Sequence, residues 1–163
     1  MTGIIKVDEL RGSTNDNSAL TIDTGGRVHK PSLPFIQLFR NTNADYAQNT
    51  VITGFRVNDS RGITYNDSTG VMTVPIGGLY QIGISAISHS TAGIYFNVQG
   101  TNIYRIGYAV AGSNEAWSQI GGTLLYNLNA NDAVKFVAAN NTIGLYGEVD
   151  NNAVGGAFMY LVG

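Results

Sequence analysis

The sequence predicts an all-β sandwich or barrel. Short β-forming runs recur from Phe35 onward at the ~8–12-residue spacing of such folds, and turn-forming clusters separate them. No helical period runs about ten residues without a glycine or a turn cluster. The composition agrees: 21 glycines and 44% hydrophobic residues, with only 12% charged against a usual ~25%, describe a turn-rich chain whose surface suits burial in an assembly.

In chain order, residues 1–33 stand apart. Ile5 and Val7 alternate with Lys6 and Asp8 as a short strand, and residues 12–18 read as a polar loop. Leu20 and Ile22, the turn Thr24-Gly25-Gly26 and Val28 then read as a small hairpin, and Pro31 and Pro34 close the segment. This is too little apolar material for a domain, so we read 1–33 as an extended docking arm and 34–163 as one domain. The domain's expected strands are 35–40, 50–58, 64–65, 71–74, 78–88, 93–99, 101–109, 116–126, 133–138, 145–149 and 155–162. Residues 58–62, 99–102, 111–114, 127–132 and 140–141 are read as turns. Residues 124–132 have a weak helical alternative, but their asparagines make a poor helix.

Charge and composition exclude several classes. The net charge is −2, and no basic stripe marks a nucleic-acid binder. Seven of the nine Lys and Arg lie in residues 1–61 with six Asp and Glu, net +1; the other two share residues 62–163 with five acids, net −3. There is no cysteine, hence no disulfide or thiolate chemistry. The first ten residues do not read as a signal peptide, and no run approaches the ~18–20 apolar residues of a membrane span. The expectation is a soluble chain made in the cytoplasm.

The run Gly62–Ile82, GITYNDSTGVMTVPIGGLYQI, has the richest local grammar. Asn66-Asp67-Ser68-Thr69-Gly70 is a turn cluster, Val71, Thr73 and Val74 favour strand, and Tyr80, Ile82, Ile84 and Ala86 make a period-two apolar face. This run resembles the central motif of the globular head of complement subcomponent one-q, which shares the jelly roll of the tumour-necrosis-factor cytokines. Residues 98–102 resemble that family's next turn. In GGTLLYNLNANDAVKFVA, Leu125, Leu128, Asp132 and Val134 sit at family positions, with Asn131 replacing the usual glycine. Residues 144–163 resemble the terminal pair of strands. The resemblance covers about 34–163 and implies an all-β jelly-roll sandwich that assembles as a homotrimer through aromatic faces. Tyr95, Phe136, Tyr146, Phe158 and Tyr160 are the expected interface residues. Tyr65, Pro75, Gly78 and Tyr80 are read as scaffold.

The arm, GIIKVDEL followed by SALTIDTGGRV, is similar to the openings of tailed-phage virion proteins. That resemblance implies docking onto a particle through Ile4, Ile5, Val7, Leu10, Leu20 and Ile22. The expected partners are further copies of the chain and the major capsid protein or another virion protein, with no nucleic acid and no membrane. The expected location is the virion.

Catalytic signals are poor. His29 and His89 are the only histidines, and neither accompanies a nucleophile elbow; Ser88 and Ser90 offer His89 proximity alone. Two histidines and no cysteine make a structural zinc site improbable. Asp132, Glu148 and Asp150 are calcium candidates without a loop motif, and solvated charges explain them better. Nothing positions them as the acid–base pair of a sugar-cleaving enzyme. The Asn-x-Ser/Thr sequences at Asn58, Asn66 and Asn140 are turn chemistry, and the Gly pairs lack a following helix for a phosphate loop. Trp117 could stack on a ligand, although a buried or interface tryptophan is commoner. No cofactor and no enzymatic activity are expected. The reading is a trimeric capsid decoration or cement protein; the alternatives are the receptor-binding tip of a tail or head fibre and, behind it, a carbohydrate-active enzyme domain.

Overall fold

The computed structural model describes residues 9–11, 18–22, 24–26, 28–29, 33–40, 42–110, 118–149, 152–153 and 155–162. Two compact units divide at residue 33. In the first, β1 (Glu9–Arg11), β2 (Ser18–Ile22) and β3 (Val28–His29) form a three-stranded antiparallel sheet. Leu10 pairs with Leu20 and Ile22 with Val28, so the expected hairpin around residues 24–26 is present.

The second unit is a sandwich. Its strands are β4 (Phe35–Arg40), β5 (Ala44–Tyr46), β6 (Phe55–Arg61), β7 (Thr64–Asn66), β8 (Val71–Thr73), β9 (Gly78–Ser88), β10 (Ala92–Val98), β11 (Thr101–Ala109), β12 (Ser118–Leu128), β13 (Ala133–Ala139), β14 (Ile143–Tyr146), β15 (Glu148–Val149), β16 (Asn152–Ala153) and β17 (Gly156–Leu161). One sheet has seven strands: β9 carries β12 on one side and both β17 and β14 on the other; β17 continues to β4 and β6, and β14 to β5. The other has five, ordered β11-β10-β13-β8-β7. β15 and β16 pair separately.

Period two decides the core. From β9 the even residues Tyr80, Ile82, Ile84 and Ala86 are buried, and Ile36, Leu38, Ala157, Met159 and Ile120 join them from the same sheet. Met72, Ile94, Phe96, Val134, Phe136 and Ala138 fill the core from the facing sheet. The Phe96 ring meets that of Tyr126 edge-on at 5.4 Å, an aromatic pair across the sandwich. At the open side, edge strands β11 and β12 close together because both lack side chains there. A Cβ on Gly107 would lie 2.8 Å from the Gly121 nitrogen.

The turns follow their chemistry. The Asn66 carboxamide oxygen accepts from the Ser68 and Thr69 amides at 3.1 Å, and Gly70 takes φ 68°. Asn131, in the position where a glycine was expected, has φ 69°.

Several boundaries differ from the sequence reading. The expected strand 50–58 is instead β6, Phe55–Arg61, preceded by an extended segment bridged once from Val51 to Val137. The polar cluster Asn58-Asp59-Ser60-Arg61 is therefore strand, not turn. It lies on an edge strand with every residue from Arg56 to Arg61 exposed, where polar side chains are favoured. β5 was not anticipated, and 145–149 divides into β14 and β15.

Candidate functional site

No cluster of three or more metal-ligating side chains occurs among the described residues. Asp132 is buried at the β12–β13 turn, where its carboxylate accepts from the Asn129 amide at 2.8 Å and from the Gln99 side chain at 3.1 Å. Both oxygens are thus held in a turn lock. Asp132 also sits beside the Gly78 end of β9, whereas Tyr146, two residues before Glu148, pairs with Ile87. Nine residues of strand, roughly 30 Å, separate these points, so Asp132 and Glu148 do not share a cation. The Glu148 side chain, Asp150 and Trp117 lie outside the described residues.

His89 lies over Gly144 with its Nε2 3.5 Å from Asp45 and its ring edge-on to Tyr146 at 5.4 Å. The neighbouring serine hydroxyls serve the backbone and each other: Ser88 Oγ donates to the Ser90 carbonyl, and Ser90 Oγ accepts from the Gly144 amide. Neither hydroxyl is bonded to the imidazole, so no nucleophile–base pair forms here. The side chain of His29 lies outside the described residues.

The molecule's features therefore reside on its two outer faces. On the seven-stranded sheet, odd residues of β9 point outward and set the face. Phe158 crosses from Gly83 and Tyr160 from Gln81; their rings stack at 5.9 Å and 22°, and the Tyr160 hydroxyl is hydrogen-bonded to Gln81. Leu125, opposite Gln81 on β12, is 57% exposed, and Tyr160 is 39% exposed. A groove of about 1020 Å³ crosses this face, walled by Phe158, Phe39, Gln119 and Arg56 over Gly121 and Gly156. Tyr146 lies on the same face, towards the far end of β9 beside His89.

Two of the expected interface aromatics are elsewhere. Phe136 is 2% exposed and pairs with Phe96 inside the sandwich, so it is a core residue. Tyr95 is on the outer face of the five-stranded sheet, opposite to Phe158 and Tyr160. Period two told that these residues alternate but not which parity faced inward. Of the expected docking residues, Ile4, Ile5 and Val7 lie outside the described residues, as do the side chains of Leu10 and Leu20; Ile22 is exposed.

Around Tyr95 the five-stranded sheet carries a built cluster. Arg105 on β11 lies over the Tyr95 ring at 5.3 Å and the Tyr108 ring at 5.6 Å. Its Nη2 donates to the Tyr95 hydroxyl at 3.1 Å and to Asn140 Oδ1 at 2.8 Å. Gly93 beneath leaves the room. Sequence reading passed over Arg105; its signal was that Arg105 and Lys135 are the only cations beyond residue 61. It also passed over Arg40, which is fully buried between the Tyr46 and Phe55 rings and donates to the Thr53 carbonyl and the Tyr46 hydroxyl. Period two put it on one face with Ile36 and Leu38, but Phe35 and Phe39 on the other face left the inward parity open.

The fold is that of the tumour-necrosis-factor-like jelly roll. Among solved structures, the chain is similar to Eiger, a tumour-necrosis factor from S. frugiperda, with a TM-score of 0.65 at 12% identity over 81% of this chain and 94% of that one. It is also similar to the globular domain of zebrafish complement 1qA, at 0.61 and 14% over 80% and 98%, and to murine APRIL, at 0.59 and 13% over 79% and 99%. No family model matches the chain, and no curated protein matches it. The likeness is one of fold.

Proposed function

We propose that this protein is a non-catalytic, self-associating structural module: a homotrimer that decorates the capsid of a tailed phage, with residues 1–33 docking it to a virion protein. The observation that carries the self-association is the outer face of the seven-stranded sheet. There the stacked Phe158 and Tyr160, with exposed Leu125, make an aromatic and aliphatic patch beside a glycine-floored groove. Placement on a particle is supported by the resemblance of residues 3–10 and 18–28 to virion-protein openings. Light scattering at micromolar concentration is expected to give three times the chain mass, and a monomer overturns the assembly. Deletion of residues 1–33 is expected to leave that mass per remaining chain unchanged and to abolish attachment to particles; persistent attachment refutes the docking role.

A second reading, the receptor-binding tip of a tail or head fibre, is favoured by the Tyr95–Arg105–Tyr108 cluster, an exposed aromatic and cationic surface on the opposite sheet. Copy number in purified particles separates the two, hundreds for decoration and about a dozen for a fibre.

A further inference from the structure

We infer that the outer face of the five-stranded sheet binds an anionic saccharide, its acid group at Arg105 and a sugar ring against Tyr108. The inference deepens the receptor-binding reading and does not depend on self-association or on the particle.

The first argument is charge. The five strands read TYN, VMT, AGIYFNV, TNIYRIGYA and AVKFVAA. They contain two cations, Arg105 and Lys135, and no carboxylate, in a chain of net charge −2. Both cations belong to one face: Tyr95 pairs with Arg105, and Asn97 pairs with Lys135 on one side and Asn102 on the other. Neither cation has an ion-pair partner among the described residues, so this face attracts an acid.

The second argument is preorganisation. Arg105 is exposed, yet two rings and two hydrogen bonds through Nη2 hold its guanidinium. Its Nη1 and Nε have no acceptor among the described residues. A guanidinium fixed in this way gives up less conformational entropy when it binds an oxyanion than a free arginine would. Tyr108 is 50% exposed and offers a flat apolar surface with a polar rim, the surface a pyranose ring stacks on.

The third argument is an orphan acceptor. Asn97 lies two residues along β10 from Tyr95 and is 3% exposed. Its Nδ2 donates to Asn102 at 2.7 Å, while its Oδ1 is buried with no partner. Leaving such an oxygen unmade is unfavourable, and a saccharide hydroxyl supplies the missing donor once the Asn97 side chain turns outward. Acid-binding guanidinium, stacking ring and hydroxyl acceptor thus share one face of two adjacent strands: Tyr108 stands opposite Gly93, Arg105 opposite Tyr95, and Asn97 two residues beyond Tyr95. A nucleic acid would want a longer basic track than two cations.

The test uses the full chain, with heteronuclear NMR and calorimetry against a galacturonic acid trisaccharide, the neutral galactose trisaccharide and a phosphorylated trisaccharide. A panel of carboxylated, sulfated and phosphorylated glycans then separates the sources of the acid group. The expected result is at least tenfold tighter binding of an acidic saccharide than of its neutral counterpart, with shifts centred on Tyr95, Arg105 and Tyr108. Arg105→Gln is expected to erase that preference, Tyr108→Ala to weaken acidic and neutral sugars alike, and Tyr160→Ala on the opposite sheet to leave binding unchanged. Equal binding of acidic and neutral sugars, a preference that survives Arg105→Gln in a folded variant, or no shift in this cluster at millimolar glycan across the panel overturns the inference. Binding of single-stranded DNA in place of every saccharide does so as well.

Discussion

The ring of Phe158 lies directly over Gly83 on the neighbouring strand: a Cβ on Gly83 would stand 2.5 Å from the ring edge. Gly83 is thus the seat of the stacked Phe158–Tyr160 pair. Gly83→Val is expected to lift Phe158 off the sheet and cost about 1–3 kcal/mol by overpacking. In our reading of the assembly the variant is also monomeric. Chemical denaturation reads the first effect and light scattering the second. A trimer of unchanged stability contradicts both.

Arg40 takes its place in the core from two acceptors and two rings, with no carboxylate partner among the described residues. The Tyr46 hydroxyl is central, since it accepts from Arg40 Nη2 at 3.0 Å and donates to the Thr53 carbonyl at 2.7 Å. Tyr46→Phe is expected to leave a buried guanidinium nitrogen unmade and to cost about 1–3 kcal/mol in urea unfolding. A loss below a few tenths of a kcal/mol would show that another acceptor relaxes into place.

Burial of the Tyr65 hydroxyl, with the Asp67 charge adding to it, raises its pKa from 10.0 to about 12. The unfolded phenol ionises first, so the unfolded state loses its proton between pH 10 and 12 while the folded state keeps it. The stabilisation is full below pH 10 and is lost as pH rises through that window. After discounting for partial solvent access it amounts to about 1–2 kcal/mol. Burial raises Tyr80 in the same direction, so the comparison is made by difference. Tyr65→Phe is expected to flatten part of the alkaline fall in stability; an identical pH profile would sink the assignment.

Asn131 holds a left-handed conformation at the β12–β13 turn, where its amide donates to the Val74 carbonyl at 2.8 Å. Asn131→Gly is expected to be within about 0.5 kcal/mol of the parent, and Asn131→Val to lose about 1–2 kcal/mol through backbone strain. Thermal melts of the two variants distinguish a conformational requirement from a side-chain contact: a loss shared by both would point to the contact.

Much of the fold was legible because its signals are local. The Asn66 turn, the left-handed residue at 131 and the alternating strand β9 each depend on a few neighbouring residues. β6 was misread because an exposed edge strand needs no apolar alternation, and a polar run looks like a turn. The face-bearing residues were harder. Tyr95, Phe136 and Phe158 are all aromatics in strands, yet one faces outward on the five-stranded sheet, one lies in the core, and one is outward on the seven-stranded sheet.

Turn chemistry and period two are written residue by residue, so an all-β sandwich or barrel with glycine and asparagine turns was legible in the chain, and the order of its motifs resembles that of the jelly roll. For strands such as β4 and β10, with large apolar side chains on both faces, the buried parity emerged only in the tertiary structure. The tertiary structure also brought Arg105 between Tyr95 and Tyr108, and seated Phe158 on Gly83. Those outcomes depend on register between strands far apart in the chain, and a one-residue slip in register exchanges core and surface.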